Sequence, residues 1–554
     1  MPDLSLERAL RLAFLALGLA ACRAPPPCGS HGGAVTVVLS AMPTTLDWSQ
    51  SHEQSAQNYP VLLAVMRGLT RLDAQNGVQP SLATSWERSL TGESPPRERY
   101  VFHLRPGVVW SDGKTPFQAQ DFVFAWRRAV LGADGAELED LVGARALQAA
   151  AGGPPEALEA AKRALGVRAL DPLTLEVTLV GPRSYFLARL ANVYPYFPAP
   201  SAVLEGLGEA EVQRHYAEPK DGAPLVLGAF RVVRWDRVGQ QLSLERNPHD
   251  FEAPGPGAVP RLELRQTELG SLMYRQCTAD FLFVDDPTVL VKPPPDLRRA
   301  RLLSTYWLGF NTSTVPLPLR QAIARALDRP ALLRAMAGMA PADREALAFL
   351  PPEMPGALVP GDVRLGEFPA HDEARARTLL EGQPRPAELT LLVKGTGTFL
   401  PETALAEGIR RQLAAYGLAV RVVTTGNFSN DVKDADGTLR FDLFLKRTGA
   451  DYAHPHTLLT PFRERGNHYT DWQKLDGGAV VRRFEALLEA GAAESDPAAR
   501  TQDYFEAQRL LVTEAAAVLP LFHPVRSYRV RPWLSGLTVD PFNFLTLSGL
   551  EVAP

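Results

Sequence analysis

Within Arg99–Leu131 the hydrophobic period of the chain changes from two residues to the period of a helix. Tyr100, Phe102 and Leu104 alternate with Val101 and His103, the pattern of a half-buried strand. Arg105-Pro106-Gly107 interrupts it, and Val108-Val109-Trp110 resumes the apolar run. Ser111-Asp112-Gly113-Lys114 then turns the chain, with Gly113 suited to a positive φ. Phe122, Trp126, Ala129 and Val130 recur at i, i+4, i+7 and i+8, one face of an amphipathic helix. The stretch is expected to run strand, turn, strand, turn, helix. Nothing in that unit catalyses a reaction.

A chain of 554 residues exceeds what one core can organise, so two or three compact units are expected. Hydrophobic residues at 45% and charged residues at 22% are those of an ordinary globular protein. The net charge of −4, without a strongly basic block, argues against a nucleic-acid partner. Pro and Gly are plentiful but scattered, which predicts a loop-rich fold, and there is no repeat at solenoid spacing.

Leu12 to Ala21 is an apolar run too short to span a bilayer as a mature helix. It follows Arg8 and Arg11, whose charge Asp3 and Glu7 offset, and it ends in Leu19-Ala20-Ala21-Cys22. That tetrad resembles a bacterial lipoprotein box. The resemblance implies a signal peptide over 1–21, a lipid on Cys22, and a flexible tether over 22–33. Of the other cysteines, Cys28 lies in the tether and Cys277 in a mixed neighbourhood. A bridge between them is open to a chain in an oxidising compartment, but a tether has no fixed geometry to favour it, and the expectation is against it.

The segment LRPGVVWSDGKTPFQAQDFVFAWRR resembles the signature of the extracytoplasmic solute-binding protein family 5, the peptide and nickel class of receptors for ATP-driven importers. Met42-Pro43-Thr44-Thr45-Leu46-Asp47, Pro80 to Glu87, Leu244-Glu245-Arg246-Asn247-Pro248 and Tyr306 to Thr312 resemble further signatures of that family, in its order. Relatives carry Thr or Ser where this chain has Gln118, so the following helix is expected to start on a weaker turn. The resemblance implies an α/β, two-lobed periplasmic-binding-protein-like fold (type II, cluster C) with an extra inserted domain. Lobe I would take 34–78, 203–302 and 522–554, the inserted domain 79–202, and lobe II 303–521. Two crossovers, near Arg301–Tyr306 and Pro520–His523, would form the hinge.

The same resemblance implies a lipid-tethered receptor, periplasmic or at the cell surface, that encloses a peptide and delivers it to the permease of an ABC importer. It would be a monomer, hold no cofactor and break no bond. The candidate site is Arg447 to Pro455, RTGADYAHP, directly after a strand at Phe441–Leu445, because ligands collect at the carboxyl ends of strands in α/β sheets. By position in the family's Asp-Tyr-x-x-Pro motif, Asp451 would pair with the peptide's α-ammonium, and Asp is equally at home capping a turn. Thr448, Gly449 and Tyr452 share the loop. Thr448 stands where many relatives carry an aromatic residue, which alters the side-chain pocket. Trp307, Gln57 and His523 fall where relatives place lining groups.

Asp451, His454, His456 and His468 invite reading as a zinc cluster, but His454-Pro455-His456 is not a helical i, i+4 pair and no metal is expected. Lys394-Gly395-Thr396-Gly397-Thr398 lacks the spacing of a phosphate loop, and no Gly-x-Ser-x-Gly or His-Glu-x-x-His occurs. The rivals to a peptide receptor are a receptor of this fold for a dipeptide, metal chelate or sugar, and an envelope metal-dependent hydrolase. Replacing Cys22 with Ser is expected to release the protein from membranes or to leave its precursor uncleaved. A Cys22→Ser protein that sediments with membranes like the parent, signal removed, would contradict the lipid assignment.

Overall fold

Val518–Val530 is a 13-residue strand with nearly every side chain buried, and it runs through both halves of a 12-stranded sheet. Its first half pairs antiparallel with Ser304–Phe310, and its second half with Leu297–Arg301 and Phe281–Phe283. With both faces buried its sequence shows no alternation. Pro520 is accommodated where the register against Tyr306 and Trp307 shifts. The computed structural model describes residues 28, 33–49, 55–73, 75–133, 135–217, 224–286, 289–290, 292–336, 342–395, 402–434, 437–464, 466 and 469–552.

On one side of this strand the sheet continues through Ser304–Phe310, Leu443–Gly449, Leu389–Lys394 and Val420–Thr425. On the other it continues through Phe281–Phe283, Ala34–Leu39, Arg261–Gln266, Gln241–Arg246 and Phe230–Asp236. Leu389–Lys394, the helix Glu402–Ala414 and Val420–Thr425 form a parallel βαβ unit, as their apolar spacing predicts. Leu405, Ile409 and Leu413 on that helix are buried beneath Leu391 and Val393. The chain passes between the two halves at Leu302-Leu303, beside the Val518–Val530 strand. The molecule is two-lobed and mixed α/β.

A separate four-stranded sheet, Ala83–Leu90, Glu98–Leu104, Thr174–Leu179 and Val167–Asp171 in that order, contains the alternating strand of Arg99–Leu131. Tyr100, Phe102 and Leu104 are buried as the alternation requires. Val108-Val109-Trp110 is not a strand: it makes a single bridge, Val109 to Pro116, because the Trp110 N–H turns back to Thr115 O at 2.9 Å. Gly113 has φ +70°, and a Cβ there would lie 2.6 Å from the His249 ring.

The helix Ala119–Leu131 does not start weakly. Asp121 adds the reciprocal half of a capping box: its Oδ2 accepts the Gln118 N–H at 3.1 Å and the Trp110 indole N–H at 3.0 Å. Its Oδ1 accepts from Ser201 N and Oγ, at 2.9 and 2.6 Å. One carboxylate thus ties the turn, the helix and the Pro-rich piece at 197–200 together. Burial pushes its carboxyl up, against the pull of those hydrogen bonds.

The expectation about the cysteines is overturned. Cys28 and Cys277 form a disulfide, with their Cα atoms 5.4 Å apart. Cys277 follows the helix Gly270–Arg275 in a left-handed conformation, φ 62°. The geometry that the tether could not supply comes from the adjoining strand: Ala34–Leu39 is fixed between Arg261–Gln266 and Phe281–Phe283. Replacing Asp121 with Ala would strand the buried Trp110 and Ser201 donors, and a loss of about 3–5 kcal/mol is expected in urea unfolding. A loss under about 1 kcal/mol would show that Asp121 is not the tie described.

Candidate functional site

Leu443–Gly449 lies inside the sheet, with Leu443, Phe444 and Leu445 buried, so the loop that leaves its carboxyl end starts from a fixed point. Ala450 N–H donates to Leu303 O at 2.8 Å. Asp451 N–H donates to Thr457 Oγ1 at 3.2 Å, and that hydroxyl donates back to Asp451 Oδ2 at 3.3 Å. The short helix Pro455–Leu459 follows, with His454 at its N-cap. The backbone on both sides of Asp451 is therefore held.

Asp451 presents an accessible surface, yet protein surrounds its carboxyl at longer range. Glu137 and Arg189 are near enough to act on that carboxyl. Loss of bulk water pushes its carboxyl up to about 7, Glu137 adds to the effect, and the Thr457 hydrogen bond and Arg189 oppose it.

The opposing wall comes from residues 137–196. Arg189, buried in the helix Phe186–Asn192, pairs with Asp140 at 3.0 Å and with Glu137. Arg183 Nε donates to Asp140 at 2.7 Å, and Tyr185 OH donates to the same carboxylate at 2.9 Å. Burial works against the charge of Asp140, but Arg189 and Arg183 outweigh it and hold the carboxyl below its usual range. The Arg189 guanidinium lies 5.3 Å from the centre of the Tyr452 ring.

Further contacts join this wall to the loop. Tyr185 stacks on His456 with ring centres 4.4 Å apart. Ser184 Oγ is 3.1 Å from His454 Nε2, and Ser184 N–H donates to Ala492 O at 2.8 Å. His454 Nδ1 accepts the His456 N–H at 3.3 Å, which leaves Nε2 as the protonated nitrogen that donates to Ser184. Burial lowers both imidazoles, His454 to about 3, so both are neutral at pH 7.

The structure brings Thr448, Gly449, Asp451 and Tyr452 together with Trp307. The Trp307 indole N–H donates to Thr448 Oγ1 at 3.0 Å, and its ring is buried among Phe349, Phe444 and Phe462. Gly449 pairs with Ser304 across the ladder. Tyr452 is buried, its OH 3.0 Å from His456 Nδ1. His523 is also buried, but it is tied to Thr305 Oγ1 and Ser304 O, at 3.0 and 3.3 Å, where the chain passes between the halves. Gln57 belongs to the helix Ser55–Val65, and its side chain, like Cys22 and His468, lies outside the described residues. Among the described residues no three His, Cys, Asp or Glu side chains gather to hold a metal ion. The sequence reading missed Glu137, Tyr185 and Arg189. A lone arginine inside the apolar run Tyr185–Leu190 was the available signal, because such a charge is kept only where it is paired.

A family model for bacterial extracellular solute-binding proteins, family 5 Middle, matches residues 77–470, more than half of the chain. Over 517 residues the chain is 26% identical to the probable deoxycholate-binding periplasmic protein YgiS of Escherichia coli K12, covering 89% of this chain and 88% of that one. Over 518 residues it is 25% identical to the periplasmic oligopeptide-binding protein OppA of Salmonella typhimurium LT2, covering 88% and 87%. The fold is similar to that of the Escherichia coli murein tripeptide binding protein MppA, with a TM-score of 0.69 at 22% identity over 94% of this chain and 98% of that one. Sheet, site loop and sequence agree: the chain belongs to the bacterial extracellular solute-binding proteins of family 5.

Proposed function

We propose that this protein encloses a short peptide between its two lobes, holds the peptide's α-ammonium on Asp451, and hands the ligand to the permease of an ABC importer. The observation that carries the reading is the Asp451 carboxyl, fixed by its bonds to Thr457 and set near Glu137 and Arg189 of residues 137–196. A carboxylate placed there needs a positive partner, and a terminal ammonium is the one that every free peptide brings. OppA and MppA are named for peptide ligands, which supports the same reading. Closure would be a rotation about the two neighbouring crossings, with lobe I over 34–78, 203–302 and 522–554, the inserted domain over 79–202, and lobe II over 303–521. The ladder shared by Arg301 with Val525 and Tyr306 with Phe522 supports that hinge. A lipid on Cys22 would hold a monomer at the membrane, and the protein would perform no bond chemistry.

YgiS, named as a probable deoxycholate binder, makes a bile acid the second ligand to try. Asp451 and Glu137 would repel its carboxylate, so peptide is favoured.

Asp451→Ala is expected to cost a free peptide about 3–5 kcal/mol of binding, by stranding its ammonium. That is a loss of about two to three and a half powers of ten in affinity. An N-acetylated peptide should bind the parent poorly and lose little more on the mutation. Calorimetry of the double-mutant cycle decides the matter: if the two changes simply add, Asp451 does not meet the amino terminus. Deoxycholate binding without peptide binding would replace the ligand class.

The raised Asp451 carboxyl sets a pH dependence. An ammonium beside it stabilises the ionised form, so the bound state holds Asp451 deprotonated while the empty site holds a proton below about 7. The peptide ammonium itself is charged throughout that range, with an ordinary pKa of about 8. Affinity should therefore weaken as pH falls from 7 to 5, with up to about one proton released per peptide bound. Titrations in buffers of different ionisation enthalpy measure that release. Affinity flat with pH and no proton released would contradict the assignment.

A further inference from the structure

The bridge between Cys28 and Cys277 decides where the amino-terminal tether meets the folded chain. Cys28 stands six residues after Cys22 in the sequence, and Gly33, which leads into the strand Ala34–Leu39, stands eleven after it. An extended chain covers at most about 3.5 Å per residue, so the bridge cuts the reach of a lipid on Cys22 from about 38 Å to about 21 Å. It also moves the pivot from the start of that strand to the corner that follows the helix Gly270–Arg275.

That helix is short and firmly seated, with two leucines turned outward. Gly270 packs on Ala34–Leu39 so closely that a Cβ there would lie 3.0 Å from Val38 Cγ1. Tyr274 is buried; its OH donates to Asp296 at 2.8 Å, and the Arg531 guanidinium lies 3.7 Å from the centre of its ring. Leu269 and Leu272 take the other side and are 59% and 39% exposed. They stand at i and i+3, neighbours on one helical face, and the exposed Gln276 follows four residues after Leu272. A rise of about 1.5 Å per residue puts Leu272 and Leu269 roughly 8 and 12 Å from Cys277, well inside the shortened reach. Glu268 and Arg275, both exposed beside them, balance in charge, so the face is apolar and not basic.

We propose that this outer face, with Leu269 and Leu272, rests on the lipid surface and is held there by the tether that the bridge shortens. The proposal rests on the reading that Cys22 carries lipid. So short a tether keeps the face at a high effective concentration over the bilayer, and two leucines then suffice where they would not hold a free protein. With its charges balanced, the face needs no anionic headgroup. The lobe held in this way is lobe I, so closure swings lobe II while lobe I stays against the membrane.

The test places the lipidated protein in phosphatidylcholine vesicles that hold no other protein, made with or without bromine on the acyl chains. Bromine quenches an indole only at the acyl region, and the emission of the parent is subtracted. Gln276→Trp reports from the face and leaves both leucines in place; Val363→Trp reports from a side chain 90% exposed in lobe II. Brominated lipid should lower the emission added by Gln276→Trp at least about twofold, as for a side chain at the acyl boundary, and leave that of Val363→Trp unchanged. Adding Leu269→Gln and Leu272→Gln to Gln276→Trp should remove most of the quenching, and so should adding Cys28→Ser and Cys277→Ser. Urea melting checks that each variant is folded. Quenching of Gln276→Trp no greater than that of Val363→Trp, in protein whose Cys22 is shown by mass spectrometry to be acylated, overturns the proposal and leaves the lipid reading standing. Quenching that survives loss of the two leucines overturns it, because the tether alone then brings the corner near the bilayer. Quenching that survives loss of the bridge overturns it as well, because the shortened tether then does not hold the face. A Cys22 without acyl chains overturns the lipid reading and this inference with it.

Discussion

A single ladder of backbone hydrogen bonds belongs to both lobes, and the placement of everything else follows from it. Val518–Val530 is paired along its first half with Ser304–Phe310 and along its second with Leu297–Arg301 and Phe281–Phe283. A slip of one residue would exchange the faces of this strand, and almost every side chain on it is buried, so sliding is forbidden while bending remains open. Leu443–Gly449 is the next strand but one, and it inherits that fixed register through Ser304–Phe310. The Asp451 loop is thus aimed by the sheet, and its own few hydrogen bonds only finish the placement.

Charge balance explains the composition of the enclosed wall. Arg183 and Arg189 share the carboxylates Asp140, Glu137 and Glu489 between them, and Arg189 also acts on Asp451. Asp140 takes both guanidiniums and is held ionised, whereas Asp451 is left with the smaller share and rises. Four carboxylates thus meet two guanidiniums, and negative charge is in surplus. In a place poorly served by bulk water such a surplus is settled by a proton or by a cation. The neutral His454 and His456 add hydrogen bonds to this wall without disturbing the count.

Elements whose apolar spacing has one period were legible in the sequence. Glu98–Leu104, Leu389–Lys394 and the helix Glu402–Ala414 lie where alternation or helical spacing puts them. Elements buried on both faces were not, because such strands have no alternation, and Val518–Val530 is one of them. Val108-Val109-Trp110 was misread for the opposite reason: an apolar run packs its side chains and leaves its backbone to a turn. Of the site, the Thr448–Tyr452 loop could be found because it is contiguous. Glu137, Tyr185 and Arg189 meet it across more than 250 residues of chain, a juxtaposition that no local pattern encodes. The cysteine pair failed in the same way, since its geometry is set by strands that arrive from far along the chain.

The pairing order of the sheet also bears on how the chain reaches this state. Ala34–Leu39 precedes both of its partners, Arg261–Gln266 and Phe281–Phe283, by more than two hundred residues, and the disulfide closes a separation of 249. Val518–Val530, which completes both lobes, comes near the other end. Pairings this distant are slow to form, and until they do the apolar strands wait with open edges. Neither lobe can therefore close as a unit while the polypeptide is still growing, and a product cut short before Val518 would keep an unpaired edge in each half.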